Sequence, residues 1–306
     1  MSSPRGVVIP LPARVAFGAI QSVSRPFAAR LAERWFFTPP RSRVPREMEA
    51  LLHSARRFSL RVDGRDVVGW EWGEGGPLVY LVHGWGSRGG RMGAFTRPLL
   101  ESGHRVVTFD APGHGASAPG MSSAPEFARA LRAIAARHGP ARAVIAHSLG
   151  GSATVLAAGW GLEAERFALI APAVDPGAFA GAFARALGAR PDVMAMVRTN
   201  SERRLRFSWS ELDVCGVVPR LERPALIIHD RDDEVVPFAD GAAIAASWPA
   251  SRLLPTAGLG HRGVVRDPVV VAEVVRFVTD SENGIDPMSE GARLEHELYY
   301  REDRRR

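Results

Sequence analysis

Between residues 58 and 280, short apolar runs rich in β-branched side chains alternate with longer Ala- and Arg-rich stretches of helical period. Strands spaced in this way are joined by helices rather than hairpins, which demands βα units and a mostly parallel sheet. Eight strands are expected, at Phe58 to Val62, Asp66 to Trp72, Pro77 to His83, His104 to Asp110, Ala141 to His147, Arg166 to Ala171, Ala225 to Asp230 and Arg252 to Pro255. The tight Asp63-Gly64 turn makes the first two an antiparallel hairpin. Helices are expected at Arg91 to Ser102, Pro125 to Arg137, Leu149 to Trp160, Asp240 to Ser247 and Pro268 to Thr279. The fold class is therefore α/β, with helices on both faces of the sheet. Composition agrees, since 46% hydrophobic and 24% charged residues exclude a disordered, collagen-like or coiled-coil chain.

One stretch breaks the rhythm. Residues 172–218 carry Phe179, Phe183, Met194, Met196, Phe207 and Trp209 among arginines and glycines. An insertion where strands end lies over the ligand crevice of such a sheet, so it is expected to form a small lid. Phe179, Phe183 and Met194 are its candidate ligand contacts. The division expected is a basic, partly helical extension at 1–56, the sheet unit at 57–281 and a flexible tail at 282–306.

The first 60 residues hold ten arginines against Glu33, Glu47 and Glu49, a charge of +7 within a chain of +6. This segment is read as a solvated extension packing Trp35, Phe36 and Phe37 on the main body, with weak contact to an anionic surface as its functional alternative. No nucleic-acid partner is expected. All 39 basic residues are arginine, which excludes a lysine Schiff base or a P-loop lysine. Cys215 is the only cysteine, so no intramolecular disulfide can form, and a cytoplasmic location is expected. No stretch is long and apolar enough for a membrane span, no secretory cleavage pattern stands out, and oligomeric state is left open.

The strand ending at His147 runs into Ser148-Leu149-Gly150-Gly151 and then a small-residue helix. A strand, a sharp turn and a helix lift a serine hydroxyl clear of the sheet beside a helix N-terminus, where amides can receive a developing oxyanion. The turn departs from Gly-x-Ser-x-Gly by carrying Ala146 at its first position. Two later strands end in Asp230-Arg231-Asp232-Asp233 and in Gly258-Leu259-Gly260-His261, so an acid and a base would meet the serine at one edge of the sheet. The residues themselves leave Asp230, Asp232 and Asp233 open as the acid.

The chain resembles the α/β-hydrolase superfamily, particularly its bacterial esterase-like members. The resemblance covers roughly 58–280 and includes His83-Gly84-Trp85-Gly86, Asp110-Ala111-Pro112-Gly113-His114-Gly115-Ala116-Ser117 and the order Ser148, Asp233, His261. It also includes a loop like His-Gly-x-x-Asp-x-x-Val-Pro, in which Asp233 takes the acid position and Asp230 replaces the glycine. The resemblance implies Ser148 as nucleophile, His261 as general base and then acid, and Asp233 as the group orienting the imidazole. It further implies an oxyanion hole from the amides of Trp85 and Leu149, with the Trp85 ring lining the acyl pocket. Supporting roles are expected for His83, His114 and His147. The activity implied is cleavage of a small-molecule carboxylic ester or thioester through an acyl-serine, without cofactor or metal, and on that reading the apolar insertion favours small or medium acyl substrates over charged ones.

Three alternatives stand beside it. Gly84-x-Gly86-x-x-Gly89 after a strand, with Asp110 ending the next, matches a dinucleotide-binding fingerprint and would suit an NAD-dependent oxidoreductase. A non-catalytic hydrolase-like binding module would keep the fold without turnover. The same triad could also serve an acyltransferase or perhydrolase. The acidic run at 230–234 lacks the glycine of a calcium loop, because Val235 stands there.

Overall fold

The computed structural model describes residues 9–40 and 46–280. Its sheet has eight strands: β1 (Arg56–Val62), β2 (Arg65–Trp72), β3 (Leu78–Val82), β4 (Arg105–Asp110), β5 (Ala141–His147), β6 (Ala164–Ile170), β7 (Ala225–Asp230) and β8 (Ser251–Thr256). They are ordered β1-β2-β4-β3-β5-β6-β7-β8. Asp63 and Gly64 both take positive φ, 47° and 76°, as the two central residues of a primed hairpin turn must, and this fixes Val62 opposite Arg65. Strand β2 pairs antiparallel with β1 and β4, and every other pairing is parallel. The order turns back at β4-β3-β5, so the loops leaving β3 and β5 diverge to opposite faces and open a crevice at their carboxyl ends.

Alternation along the strands divides the core in two. Leu78, Tyr80 and Val82 of β3 point into one layer, with α5 (Ala124–His138), α6 (Leu149–Gly159) and α9 (Phe238–Ser247). Val79 and Leu81 point into the other, with α11 (Pro268–Thr279), α4 (Thr96–Glu101) and the 3₁₀ turn Gly89–Phe95 before it. The five helices expected from the sequence are all present, although the one at 91–102 begins as that 3₁₀ turn.

Residues 172–218 form α7 (Phe179–Leu187), α8 (Pro191–Leu205) and several 3₁₀ turns. The chain before the sheet forms α1 (Leu11–Val23), α2 (Arg25–Phe37) and α3 (Arg46–His53). Helices α1 and α2 pack on the insertion: Phe17, Ala28, Ala29 and Ala32 bury against Phe183, Leu187, Val193 and Val197. Three alanines on one face let α2 approach α8 closely, and Glu33 at its end takes the Arg204 guanidinium at 3.0 Å. The Gln21 side chain donates to the Gly188 carbonyl at 2.9 Å and accepts from the Arg190 amide at 3.1 Å. Of the three aromatic residues expected to pack, Phe37 is buried, Phe36 is half-buried and Trp35 is 39% exposed. The expected tail at 282–306 lies outside the described residues, among which no helix is long and apolar enough to cross a membrane.

Candidate active site

Ser148 joins β5 to α6 with φ 53° and ψ −125°, a strained backbone for a residue with a side chain. Its amide donates to the Ile170 carbonyl at 2.9 Å, which ties the turn to β6. Two glycines make the turn sterically feasible. A Cβ on Gly150 would lie 2.4 Å from the His83 carbonyl oxygen, so α6 can start flush against the end of β3 only with glycine there. A Cβ on Gly84 would lie 3.0 Å from the Ser148 Cβ, so the β3 loop reaches the serine only because Gly84 has none.

His261 Nε2 lies 3.0 Å from Ser148 Oγ, and its Nδ1 lies 2.7 Å from Asp233 Oδ2. A carboxylate can only accept, so Nδ1 carries the hydrogen and Nε2 is left to accept from the serine hydroxyl. The other Asp233 oxygen accepts from the amides of Val235 and Val236, both at 2.8 Å. Burial pushes this carboxyl up, but hydrogen bonding from His229 and His261 outweighs it and holds Asp233 well below the usual carboxylate range.

The sequence left three aspartates open on this loop, and the structure gives them different surroundings. Asp230 is fully buried and accepts from Thr256 Oγ1 at 2.7 Å and from the amides of Asp232, Leu259 and Gly260. It staples the end of β7 to the loop that carries His261. Asp232 is exposed and accepts from the Gly258 amide at 2.8 Å. Only Asp233 reaches the imidazole. A second tie comes from His147, whose Nε2 donates to the His261 carbonyl at 2.9 Å.

The β3 loop is held by two further histidines. His83 accepts from the Ala111 amide at Nε2, so its Nδ1 donates to the Gly84 carbonyl at 2.7 Å. His114 Nε2 accepts from the Gly86 amide at 3.1 Å, and its Nδ1 donates to the Pro112 carbonyl. Trp85 is thus bracketed on both sides, and neither its amide nor that of Leu149 donates to any acceptor among the described residues. Burial pushes the histidines down, His83 to about 4, and His114 and His147 each to about 3, keeping all three neutral at pH 7.

Over this arrangement lies a cavity of about 760 Å³. Trp85, Phe179 and Phe183 line it, whereas Met194 does not: it packs in the cluster of Phe17 and Val197 between the insertion and the leading helices. Sequence reasoning missed Trp35, Phe36 and Pro40 as lining residues. The Trp-Phe-Phe run was the available signal, but it reads equally well as packing. Asp110 also differs from a ribose-binding acid. It is buried and accepts from the amides of Gly89 at 2.8 Å and Ala116 at 2.7 Å, so its oxygens brace two loops and neither reaches a crevice.

A family model described as "Alpha/beta hydrolase family" matches residues 79–274, more than half of the chain. Among solved structures, an esterase from Rhodococcus sp. ECU1013 superposes with a TM-score of 0.54 at 21% identity, covering 74% of this chain and 99% of that one. A thermophilic esterase from Thermogutta terrifontis gives 0.55 at 17% identity, over 74% and 100%. A bromoperoxidase from Bacillus anthracis gives 0.59 at 18%, again over 74% and 100%. At such identities these likenesses establish the fold alone. None of the curated proteins searched matches the chain.

Proposed function

The chain belongs to the alpha/beta hydrolase family, and from that premise we propose that it is a serine hydrolase acting on a small-molecule carboxylic ester or thioester. The observation that carries this reading is the continuous relay from Ser148 Oγ through His261 to Asp233, at 3.0 and 2.7 Å. In the first half-reaction Ser148 Oγ bonds to the acyl carbon while its proton passes to His261 Nε2. That proton then goes to the departing oxygen or sulfur as its bond to carbon breaks. Water repeats the sequence on the acyl-serine and regenerates the hydroxyl. The Trp85 and Leu149 amides receive the oxyanion, a contribution of about 2.7–4 kcal/mol for each donor.

On this reading no cofactor takes part, the unit at 57–281 carries the chemistry, and 172–218 together with the leading helices roofs the acyl pocket. Having Cys215 as the only cysteine suits a reducing compartment such as the cytoplasm. The test is labelling of wild type and Ser148→Ala with a fluorophosphonate, alongside p-nitrophenol release from acetate to octanoate esters. Labelling and turnover that vanish in the variant support the proposal. A folded wild type that neither labels nor turns over overturns it and leaves the binding-module reading in its place.

A further inference from the structure

The cavity above Ser148 is chemically lopsided. Its charged lining consists of three arginines, Arg91, Arg262 and Arg266, with no aspartate or glutamate among the lining residues. None of the three guanidinium groups has a hydrogen-bond or ion-pair partner among the described residues. The adjacent acids are committed elsewhere or stand apart. Asp267 caps α11 by accepting from the amides of Val269 and Val270, and Glu234, beside Gly260, makes no described ion pair.

Behind the other end of the cavity the arginines lie outside the lining and are paired. Arg204, which stacks on Phe37 at 5.0 Å, is neutralised by Glu33 and Glu126, and Arg65 shares Glu126 at 3.1 Å. The two ends also belong to opposite layers of the core. Phe37, Phe207 and Leu212 line the cavity and pack in the layer of α5 and α6. Met92 and Val265, immediate neighbours of Arg91 and Arg266, line it and pack in the layer of α11. Ser148 stands where the two layers meet at the edge of the sheet.

We infer that the substrate is an ester or thioester whose acyl half enters the aromatic end and whose leaving-group half carries an anion, phosphate or carboxylate, bound by Arg91, Arg262 and Arg266. This rests on the hydrolase reading and adds its substrate class. It also replaces the expectation, taken from the composition of the insertion alone, that charged substrates are disfavoured. Guanidinium groups left without acids bind such oxygens through charge-assisted and often bidentate hydrogen bonds, and with Arg91 half-buried but Arg262 and Arg266 exposed that attraction stays open to screening by salt. The neutral acyl half has no such partner and takes the apolar end by burial.

The test measures binding to Ser148→Ala protein, which keeps the cavity without forming an acyl-enzyme. The ligands are 4-(octanoyloxy)benzoate and 4-(octanoyloxy)phenyl phosphate, each beside its methyl-capped neutral counterpart, with calorimetry as the readout. One charged group recognised by free arginines is expected to tighten binding about tenfold or more over the neutral ester, an advantage that shrinks as salt is added. Arg91→Gln combined with Arg266→Gln in that background should cut the ratio several-fold, leaving only what Arg262 supplies. Arg266→Gln alone repeats the comparison, so that misfolding of the double variant does not decide it. Whichever anion gains more identifies the group the site prefers. Equal or weaker binding of both anions, or an advantage that the two arginine changes leave undiminished, overturns the inference. Turnover of the neutral esters by wild type, lost in Ser148→Ala, tests the hydrolase reading separately.

Discussion

The floor of the cavity and its roof are built on different principles. The floor comes from the carboxyl ends of strands: Ser148 leaves β5, Asp233 follows β7 and His261 follows β8, each set by a parallel ladder and locked by buried hydrogen bonds. The roof joins α1 and α2 to α7 and α8 through side-chain packing and a few polar ties, with no strand in it. A floor of this kind fixes atoms to within hydrogen-bond tolerance, as proton transfer requires. A roof of this kind sets volume and polarity, where a shift of an ångström changes preference more than rate.

If that contrast holds, floor and roof variants should fail in different ways. The largest effect should come from Asp233→Asn, which leaves the imidazole without its anionic partner and should lower kcat by about 10⁴-fold. Asp232→Asn, on the same loop but pointing to solvent, should cost less than about threefold, and comparable losses in p-nitrophenyl ester assays would remove the assignment of the acid.

Acid should attack the floor next. His83, His114 and His147 are neutral in the fold, with values of about 4, 3 and 3 against 6.5 in the unfolded chain. Between pH 6.5 and about 4 the unfolded chain takes up protons that the fold refuses, so their contribution is whole above pH 6.5 and is lost as the pH falls. The slope is at most about 1.4 kcal/mol per pH unit for each histidine, about 10³-fold per unit for all three in the unfolding constant. Urea midpoints measured across that window should drop steeply, and His114→Asn should flatten the drop.

Gly84→Ala sharpens the comparison within the floor. The new methyl would press on Ser148 Cβ at 3.0 Å and His147 Nδ1 at 3.2 Å, which pushes the Trp85 amide off its aim. Turnover should fall about 10²-fold, as for a lost oxyanion donor, with little change in the melting temperature. The smallest effect on rate should come from the roof. Phe17→Ala empties a fully buried site at a cost of about 3–5 kcal/mol to the packing of α1 and α2 on α8. Acetate ester turnover should change less than about threefold, while KM for octanoate rises and amide exchange quickens in α1, α2 and α8. Equal slowing of both esters would mean that floor and roof are one unit.

The same contrast decides what could be read from the chain. All eight strands and the five helices that alternate with them outside residues 172–218 were legible because each declares itself within a dozen residues, through β-branched runs, helical period and the Asp63-Gly64 turn. Ser148 was legible from a strand, a turn and a helix of small residues in succession. The roof was not, because its contacts join segments with no local marker of each other: Gln21 meets Gly188 across 167 positions. Met194 illustrates the cost, since an apolar residue at helical spacing can face a ligand or a neighbouring helix, and here it faces a helix. Asp230 was ambiguous for another reason. Its four donors come from two stretches, Asp232 and residues 256–260, and only the assembled loops show it bracing the His261 loop rather than reaching the imidazole.

The union of α1 and α2 with α8 bears on the order in which the molecule comes together. Residues 11–37 are synthesised long before 179–205, and without that partner the faces of Phe17, Ala28 and Ala32 have only each other to bury against. Closing so long a loop is entropically costly and slow compared with the neighbouring βα contacts, so α1 and α2, although made before α8, are the last to find their place. Until then the strand-end residues can assemble beneath an open crevice. On the proposed function the competence to react thus precedes the capacity to discriminate, and a refolding protein should accept acetate esters before it distinguishes octanoate ones.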